Sequence, residues 1–426
     1  MIQRTVTLTI VTALLLINNQ TMTTKICDSR YTNIGQARLG ILISPIITET
    51  IRNEIEIYWN NMDFQTGDEI VLYNDASTLN ATEPLYIVKP TSSNGVVKTG
   101  IQAEPTPIVN PFKKQCLRYH VAWIRGSTLK TYCVKTEPTW MADKKHILGT
   151  RKISEIFLPG THNSAAYVVN GTAHGNLISN YAITQDIDIF TQLVRGVRYL
   201  DIRVGYQPDE DVAWWTFHGL LYRSVPLKTV IDQVKRFLNN TEEIVIFDVH
   251  EFPFGFQTGL SLHHQLVSYL EEQFRGCYLT TERHGWRNTM NDIWSSGKRL
   301  IIGYGKGEIP RMYKSMWPSV LHRWGNVRSV EDLYKYLHKI EANSREDLIR
   351  PESAMAQLTP NEIYITINLW STLRQLARKV NVNITTWYST IWQYNANVVA
   401  VDFVRYTDIV DVAIESNENR HLHCRY

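Results

Sequence analysis

From about residue 150 onward, short apolar runs of strand character alternate with amphipathic stretches of helical period, and this alternation constrains the fold most. The strand candidates are residues 153–158, 197–203, 212–217, 244–250, 300–304, 363–369 and 398–404. Helix candidates fall between them at 227–239, 262–274, 330–342 and 372–380. Ser329-Val330-Glu331-Asp332 gives the third helix a capping start, with Asp in the usual place of Glu or Gln. Such alternation, sustained over about 280 residues, predicts an α/β fold of the (β/α) barrel type. Barrels of this kind gather their chemistry at the C-terminal ends of the strands. Polar residues fall at those ends here: His162, Asp201 and Arg203, His218, Asp248 and His250, Tyr304, and Asp402.

Upstream the period changes from helical to twofold. Residues 25–140 read as strands alone: Ile55, Ile57 and Trp59 alternate with polar neighbours, as do Ile70 and Leu72, then Tyr119, Val121 and Trp123. Gly126-Ser127 breaks the last run before Leu129-Lys130-Thr131-Tyr132-Cys133, the pattern of a hairpin. Pro105, Pro107 and Pro111 mark a loop or a sheet edge. The economical arrangement is a small all-β sandwich at residues 25–140, followed by a barrel domain at 145–426. A chain of 426 residues fits about two domains. Nothing in the strand pattern names a partner for the sandwich.

Residues 1–24 read as a secretory signal peptide. Arg4 precedes the apolar stretch from Val6 to Ile17, too short to cross a bilayer, and polar Asn18-Asn19-Gln20-Thr21 follows. An uncleaved anchor is the alternative. The polar run His421-Leu422-His423-Cys424-Arg425-Tyr426 carries no lipid-anchor signal. Glycosylation triplets beginning at Asn80, Asn170, Asn239 and Asn383 fit a secreted, extracellular glycoprotein. In an oxidising compartment five cysteines leave one unpaired, and Cys116 with Cys133, on neighbouring strands, is the expected disulfide. No cysteine pair has zinc-ribbon spacing. Basic residues exceed acidic ones by only 44 − 41 = +3, and no basic stripe interleaved with aromatics is present. Nucleic acid is therefore not an expected partner.

Three short segments carry the chemistry. The first is Leu158-Pro159-Gly160-Thr161-His162-Asn163-Ser164, the second Gly196-Val197-Arg198-Tyr199-Leu200-Asp201-Ile202-Arg203, the third Phe217-His218-Gly219. Two histidines can divide proton transfer, one taking a proton and one giving it. An arginine between them can hold a phosphate through two parallel N–H bonds. Together they point to phosphodiester cleavage.

These segments resemble the phosphatidylinositol-specific phospholipase C X-domain family, most nearly the X-domain-containing proteins without the signalling enzymes' accessory domains, over roughly residues 145–415. The resemblance implies a distorted, TIM-like barrel that cleaves inositol phospholipid head groups. His162 matches the base that deprotonates the inositol 2-hydroxyl. His218 matches the acid that protonates the departing diacylglycerol, and a cyclic inositol phosphate results. Neighbouring carboxylates can hold two imidazoles in opposite protonation states. Arg203 stands where signalling enzymes carry a calcium-binding carboxylate and bacterial enzymes carry arginine. Asp201-Ile202-Arg203 thus implies the bacterial solution, a fixed charge on the phosphorane with neither metal nor cofactor. Two residues apart on a strand, Asp201 and Arg203 share a face and can pair as well. At the next calcium-ligand position stands His250 rather than glutamate.

Asp402, in Val399-Ala400-Val401-Asp402-Phe403, resembles the aspartate that orients the first histidine. Asn163 departs from the bacterial aspartate that supports the second histidine and matches the asparagine of signalling enzymes. Asp201 or Asp248 is then left to support His218. Asn163, Asp248, His250 and Tyr304 are the candidate substrate-binding residues. Lys298-Arg299-Leu300-Ile301-Ile302-Gly303-Tyr304 resembles the strand that supplies basic head-group contacts, but its inward candidates include Ile302 and Tyr304, which implies less phosphorylated inositides. The expected partner is a phospholipid head group or membrane interface. Phe252-Pro253-Phe254-Gly255-Phe256 either meets that interface or packs on the β-domain. His263, His264, Trp317 and Trp324 read as packing or surface residues. Two other classes stay open: an inositide- or glycan-binding protein that has lost turnover, and a metal-dependent lipid phosphodiesterase.

Overall fold

The computed structural model describes residues 26–27, 37–75, 83–167, 177–208, 210–220, 222–256, 259–281, 285–342, 348–360 and 372–425. The signal segment, the triplets at Asn80 and Asn170, and the strand expected at 363–369 lie outside them. β1 (Ile26–Cys27) pairs antiparallel with β19 (Cys424–Arg425).

Two antiparallel sheets follow. β2 (Arg38–Ile43), β3 (Glu54–Asn60) and β6 (Gly95–Gln102) make one, in the order β2-β3-β6. β4 (Glu69–Tyr73), β5 (Tyr86–Val88), β7 (Gln115–Arg125) and β8 (Thr128–Thr136) make the other, in the order β5-β4-β7-β8. Twofold alternation sends Ile41, Ile55, Ile57 and Trp59 of the first and Ile70, Leu72, Val121 and Trp123 of the second into one apolar core. The expected hairpin is β7–β8, turning at Gly126 with φ +53°. Cys116 and Cys133 are disulfide-bonded across it, with Cα atoms 5.6 Å apart.

A buried carboxylate ties these sheets to the remainder. Asp408 accepts from Arg38 Nε at 3.1 Å, Tyr58 at 2.6 Å and Tyr132 at 2.8 Å. It directly precedes helix Ile409–His423.

The remainder is mixed α/β. Its parallel strands are β9 (Leu158–Thr161), β10 (Tyr199–Tyr206), β13 (Val245–Phe254), β14 (Leu300–Tyr304), β15 (Met316–Pro318), β16 (Leu321–Arg323), β17 (Glu352–Met355) and β18 (Val398–Val401). They form one curled sheet in the order β15-β14-β13-β10-β9-β18-β17-β16. β15 and β16 follow each other in the chain yet are not hydrogen-bonded, so the sheet curls as a barrel does and stays open at that seam.

Two sequence expectations need correction. The run 212–217 is no barrel strand: β11 (Trp214–His218) lies antiparallel to β10 and to β12 (Tyr222–Pro226). The link 207–213 is too short for the crossover that a parallel neighbour needs. The run 153–158 opens with a 3₁₀ turn, Ile153–Glu155, so β9 starts only at Leu158. The Glu155 carboxylate accepts from the Lys152 amide and holds that turn.

Twofold alternation also sorts the curled sheet. Leu200, Ile202 and Val204 with Val245, Phe247 and Val249 face the helical side and its core. Tyr199 and Ile246 join a second cluster with Leu158, Ile301 and Trp317. Asp201, Arg203, Asp248 and His250 share the phase of these last residues and point inward. Helix Leu227–Leu238 covers the outer face through Val230, Ile231, Val234 and Phe237, all buried at helical spacing. Ser329 caps helix Val330–Glu341 by accepting from the Asp332 amide, as its sequence implies.

Asn417 fastens the last helix to the start of β9. Its Oδ1 accepts from Phe157 N and its amide donates to Phe157 O, both at 2.9 Å and buried. Asn417→Ala should cost about 2–3 kcal/mol, because both backbone groups lose their partner. A urea midpoint within experimental error of the parent would contradict this.

Candidate active site

His162 follows β9 directly and Asp402 follows β18, so two neighbouring strands deliver them to the same end of the sheet. His162 Nδ1 lies 2.8 Å from Asp402 Oδ1. Arg203 donates to His162 Nε2 at 2.8 Å, and the Gln357 amide nitrogen lies 3.3 Å from the same atom. A guanidinium only donates. Nε2 therefore carries the lone pair and Nδ1 carries the proton that Asp402 accepts. Gln185 steadies the backbone by donating to the His162 and Val401 carbonyls at 3.2 and 2.9 Å.

Arg203 is held by two more acceptors, Asp201 and Glu251, each at 3.1 Å. Asp201 is fully buried and also accepts from the Asn163 amide at 2.9 Å. Burial alone would raise its carboxyl, but Arg203, then His322, His162 and His250, outweigh that and hold it well below the usual range. Burial works against Arg203 too, and Asp201 and Glu251 overcome it to raise its pKa.

His218, at the end of β11, faces His162 with ring centroids 5.8 Å apart and planes near perpendicular. Its Nδ1 donates to the Ala182 carbonyl at 2.7 Å. The expected carboxylate partner is thus replaced by a backbone oxygen: Asp201 is engaged by Arg203, and Asp248 accepts from Tyr199 at 3.0 Å. Burial first, then the facing His162 and Arg203, pull the His218 imidazole down to about 3. Its folded pKa lies below the ordinary 6.5, so the stability tied to its neutral form is complete above pH 6.5 and is lost as pH falls toward 3. His218→Gln should flatten the fall in unfolding free energy over that window by up to about 1.4 kcal/mol per pH unit. Unchanged slopes in urea titrations between pH 6.5 and 4 would contradict this.

His162, Arg203, His250, His322, Arg350 and Gln357 line one cavity of about 680 Å³, the size of a head-group pocket. Of the sequence candidates, His162, Arg203, Asp201, Asp402 and His218 come together, and His250 shares the cavity wall with His162 and Arg203. Asn163 is buried with φ +37°, and neither polar atom of its side chain has a hydrogen-bond partner. Asp248 is buried against Gly303, where any Cβ would lie 2.1 Å from its Oδ1. Tyr304 is not brought to the cavity: it shares the outward phase of Leu300 and Ile302, and its hydroxyl lies 2.9 Å from His263 Nδ1. His263 and His264 serve packing, the latter bonded to the Tyr313 hydroxyl at 2.8 Å.

Among the described residues, the Phe252–Phe256 segment packs on the barrel's own core rather than on the β-sheets upstream. Phe252 lies against His263 and Tyr304, and Phe254 stacks on Phe217 while staying 38% exposed. Sequence reasoning missed Gln357, His322 and Glu251. Only Glu251 carried a signal, as the acidic neighbour of His250 on a strand end.

No family model matches the chain. The mouse PI-PLC X domain-containing protein 1 is 22% identical over 305 residues, covering 65% of this chain and 86% of that protein. The mouse PI-PLC X domain-containing protein 2 is 25% identical over 319 residues, covering 68% and 91%. A variant-surface-glycoprotein phospholipase C of Trypanosoma cruzi is 25% identical over 262 residues, covering 54% and 65%. A solved mutant of the phosphatidylinositol-specific phospholipase C from Staphylococcus aureus superposes with a TM-score of 0.53 at 18% identity, covering 66% of this chain and 97% of that one. The curled parallel sheet is thus the TIM-like sheet of the bacterial phospholipase C fold. Motif, fold and relatives agree: the chain is similar to the PI-PLC X domain-containing proteins and shares the fold of the bacterial phosphatidylinositol-specific phospholipases C.

Proposed function

We propose that this protein is a phospholipase C-like phosphodiesterase that cleaves inositol phospholipids with two histidines and an arginine and needs no metal for that step. The observation that carries the reading is His162, its Nδ1 on Asp402 and its Nε2 on Arg203, facing His218 with ring centroids 5.8 Å apart. His162 Nε2 takes the proton of the inositol 2-hydroxyl, whose oxygen attacks the adjacent phosphorus. Arg203 neutralises the charge that grows on the phosphoryl oxygens. The P–O bond to diacylglycerol breaks as His218 Nε2 delivers a proton to the leaving oxygen, and a cyclic inositol phosphate forms. His218 starts neutral in the free protein, so an anionic phosphodiester beside it is what restores its affinity for that proton. Water can open the cyclic ester by the same route with the two roles exchanged.

In this reading residues 1–24 are removed on secretion, residues 25–140 form a small β-sandwich, and residues 145–426 form the catalytic barrel of an extracellular glycoprotein that works at a membrane interface. The relatives' names supply the lipid class. The test is incubation of phosphatidylinositol vesicles with the full chain in chelator, with separation of lipid and water-soluble products. Diacylglycerol with a soluble inositol phosphate is the expected pair. Vesicle binding without release would favour an inositide-binding protein, and release of phosphatidic acid would overturn the proposed bond.

A further inference from the structure

Three side chains unused by the phosphodiester chemistry meet beside the cavity: His250 and His322 line it, and Asp248 lies buried behind them. Asp248 and His250 stand two apart on β13 and point inward together, and His322 lies on β16 at the open edge of the sheet. One ligand-capable atom from each lies within 4.8 Å of the others, with His322 Nε2 3.6 Å from Asp248 Oδ2. The rings of His250 and His322 stack with centroids 3.3 Å apart and planes 11° from parallel. Asp248 Oδ1 and His250 Nδ1 are buried there without a hydrogen-bond partner, which folded proteins seldom tolerate.

We propose that Asp248, His250 and His322 bind a divalent transition-metal cation of the zinc class, with one coordination position left open to the cavity. Two imidazoles and a carboxylate with a vacant fourth place are the donor set of an open tetrahedral zinc site. Calcium asks for six to eight oxygens and finds one carboxylate here. The outer shell is in place: the Tyr199 hydroxyl donates to Asp248 Oδ2 at 3.0 Å and fixes its orientation. The charge balance also suits a cation: Asp201 is paired with Arg203, whereas the ion-pair partner of buried Asp248 among the described residues is His322. The Tyr199 hydroxyl also contacts His322 Nε2, which ties both side chains to one group outside the ligand set. An anionic oxygen of a phosphate or a hydroxyl of a polyol could fill the open position. The site stands apart from the two-histidine step, and either can be right without the other.

The test uses the full chain, free of any histidine tag and stripped with chelator, titrated calorimetrically with zinc and, in parallel, with cobalt(II) followed by visible absorption. One equivalent of zinc and the absorption bands of tetrahedral cobalt are expected. His322→Gln and Asp248→Asn should each weaken zinc binding by at least about tenfold, and His162→Ala should leave it unchanged. Should Asp248→Asn lower the unfolding midpoint, His322→Gln at the open edge carries the comparison. Absence of saturable binding would overturn the proposal. So would binding that survives His322→Gln and disappears in His162→Ala, because the metal would then sit on the catalytic pair.

Discussion

His162→Ala is expected to lower the turnover of phosphatidylinositol by about 10³-fold or more, near the upper range for removal of a positioned general base. The size follows from how completely the imidazole is prepared. Asp402 fixes the protonated Nδ1 at 2.8 Å, Gln185 pins the backbone carbonyl, and the lone pair on Nε2 already faces the charge that will hold the phosphate. No other described side chain offers a lone pair beside Arg203 in the same place. His218→Ala should fall by a similar factor, and the double variant by little more, since the two residues act as one unit. Initial rates of head-group release, with unfolding midpoints recorded for each variant, decide it. A loss below tenfold in a folded His162→Ala protein would remove the histidine from the chemistry.

Arg203→Lys should cost about 10²- to 10³-fold in kcat even though the charge is kept. The guanidinium reaches three separate acceptors: His162 Nε2 at 2.8 Å, Asp201 at 3.1 Å and Glu251 at 3.1 Å. An ammonium is a point donor with no fork, and it cannot keep Asp201 paired while presenting two N–H groups to a phosphate. The loss should fall mainly on kcat, because the charge on the phosphoryl oxygens grows toward the transition state. A lysine variant within threefold of the parent would show that Arg203 is only the ion-pair partner of Asp201.

Much of the site was legible because it lies on strand ends whose phase can be read. The segments around His162, Asp201 to Arg203 and His218 are continuous in sequence, and the apolar runs before them announce the strands. Asp402 was legible for the same reason, although 240 residues separate it from His162. The phase failed in Leu300–Tyr304. There an apolar residue at nearly every position hides which face is inside, and Tyr304 turned out to face the helices. β15, β16 and β17 span only three or four residues each and left no periodicity to detect. His322 and Gln357 therefore stood in what read as loop, and only pairing between distant strands brings them to the cavity. The antiparallel excursion of β11 was hidden for a related reason: its alternation matches a barrel strand, and only the short link before it excludes a crossover.

The central claim is cleavage through a cyclic phosphate made by two histidines and an arginine. Phosphorus NMR of phosphatidylinositol vesicles incubated with the protein in chelator tests it most directly. A cyclic phosphate resonance that builds up with the parent chain and is absent with His162→Ala is the predicted result. A silent spectrum in chelator that recovers only on adding calcium would contradict the account, because the fixed charge of Arg203 would then not suffice.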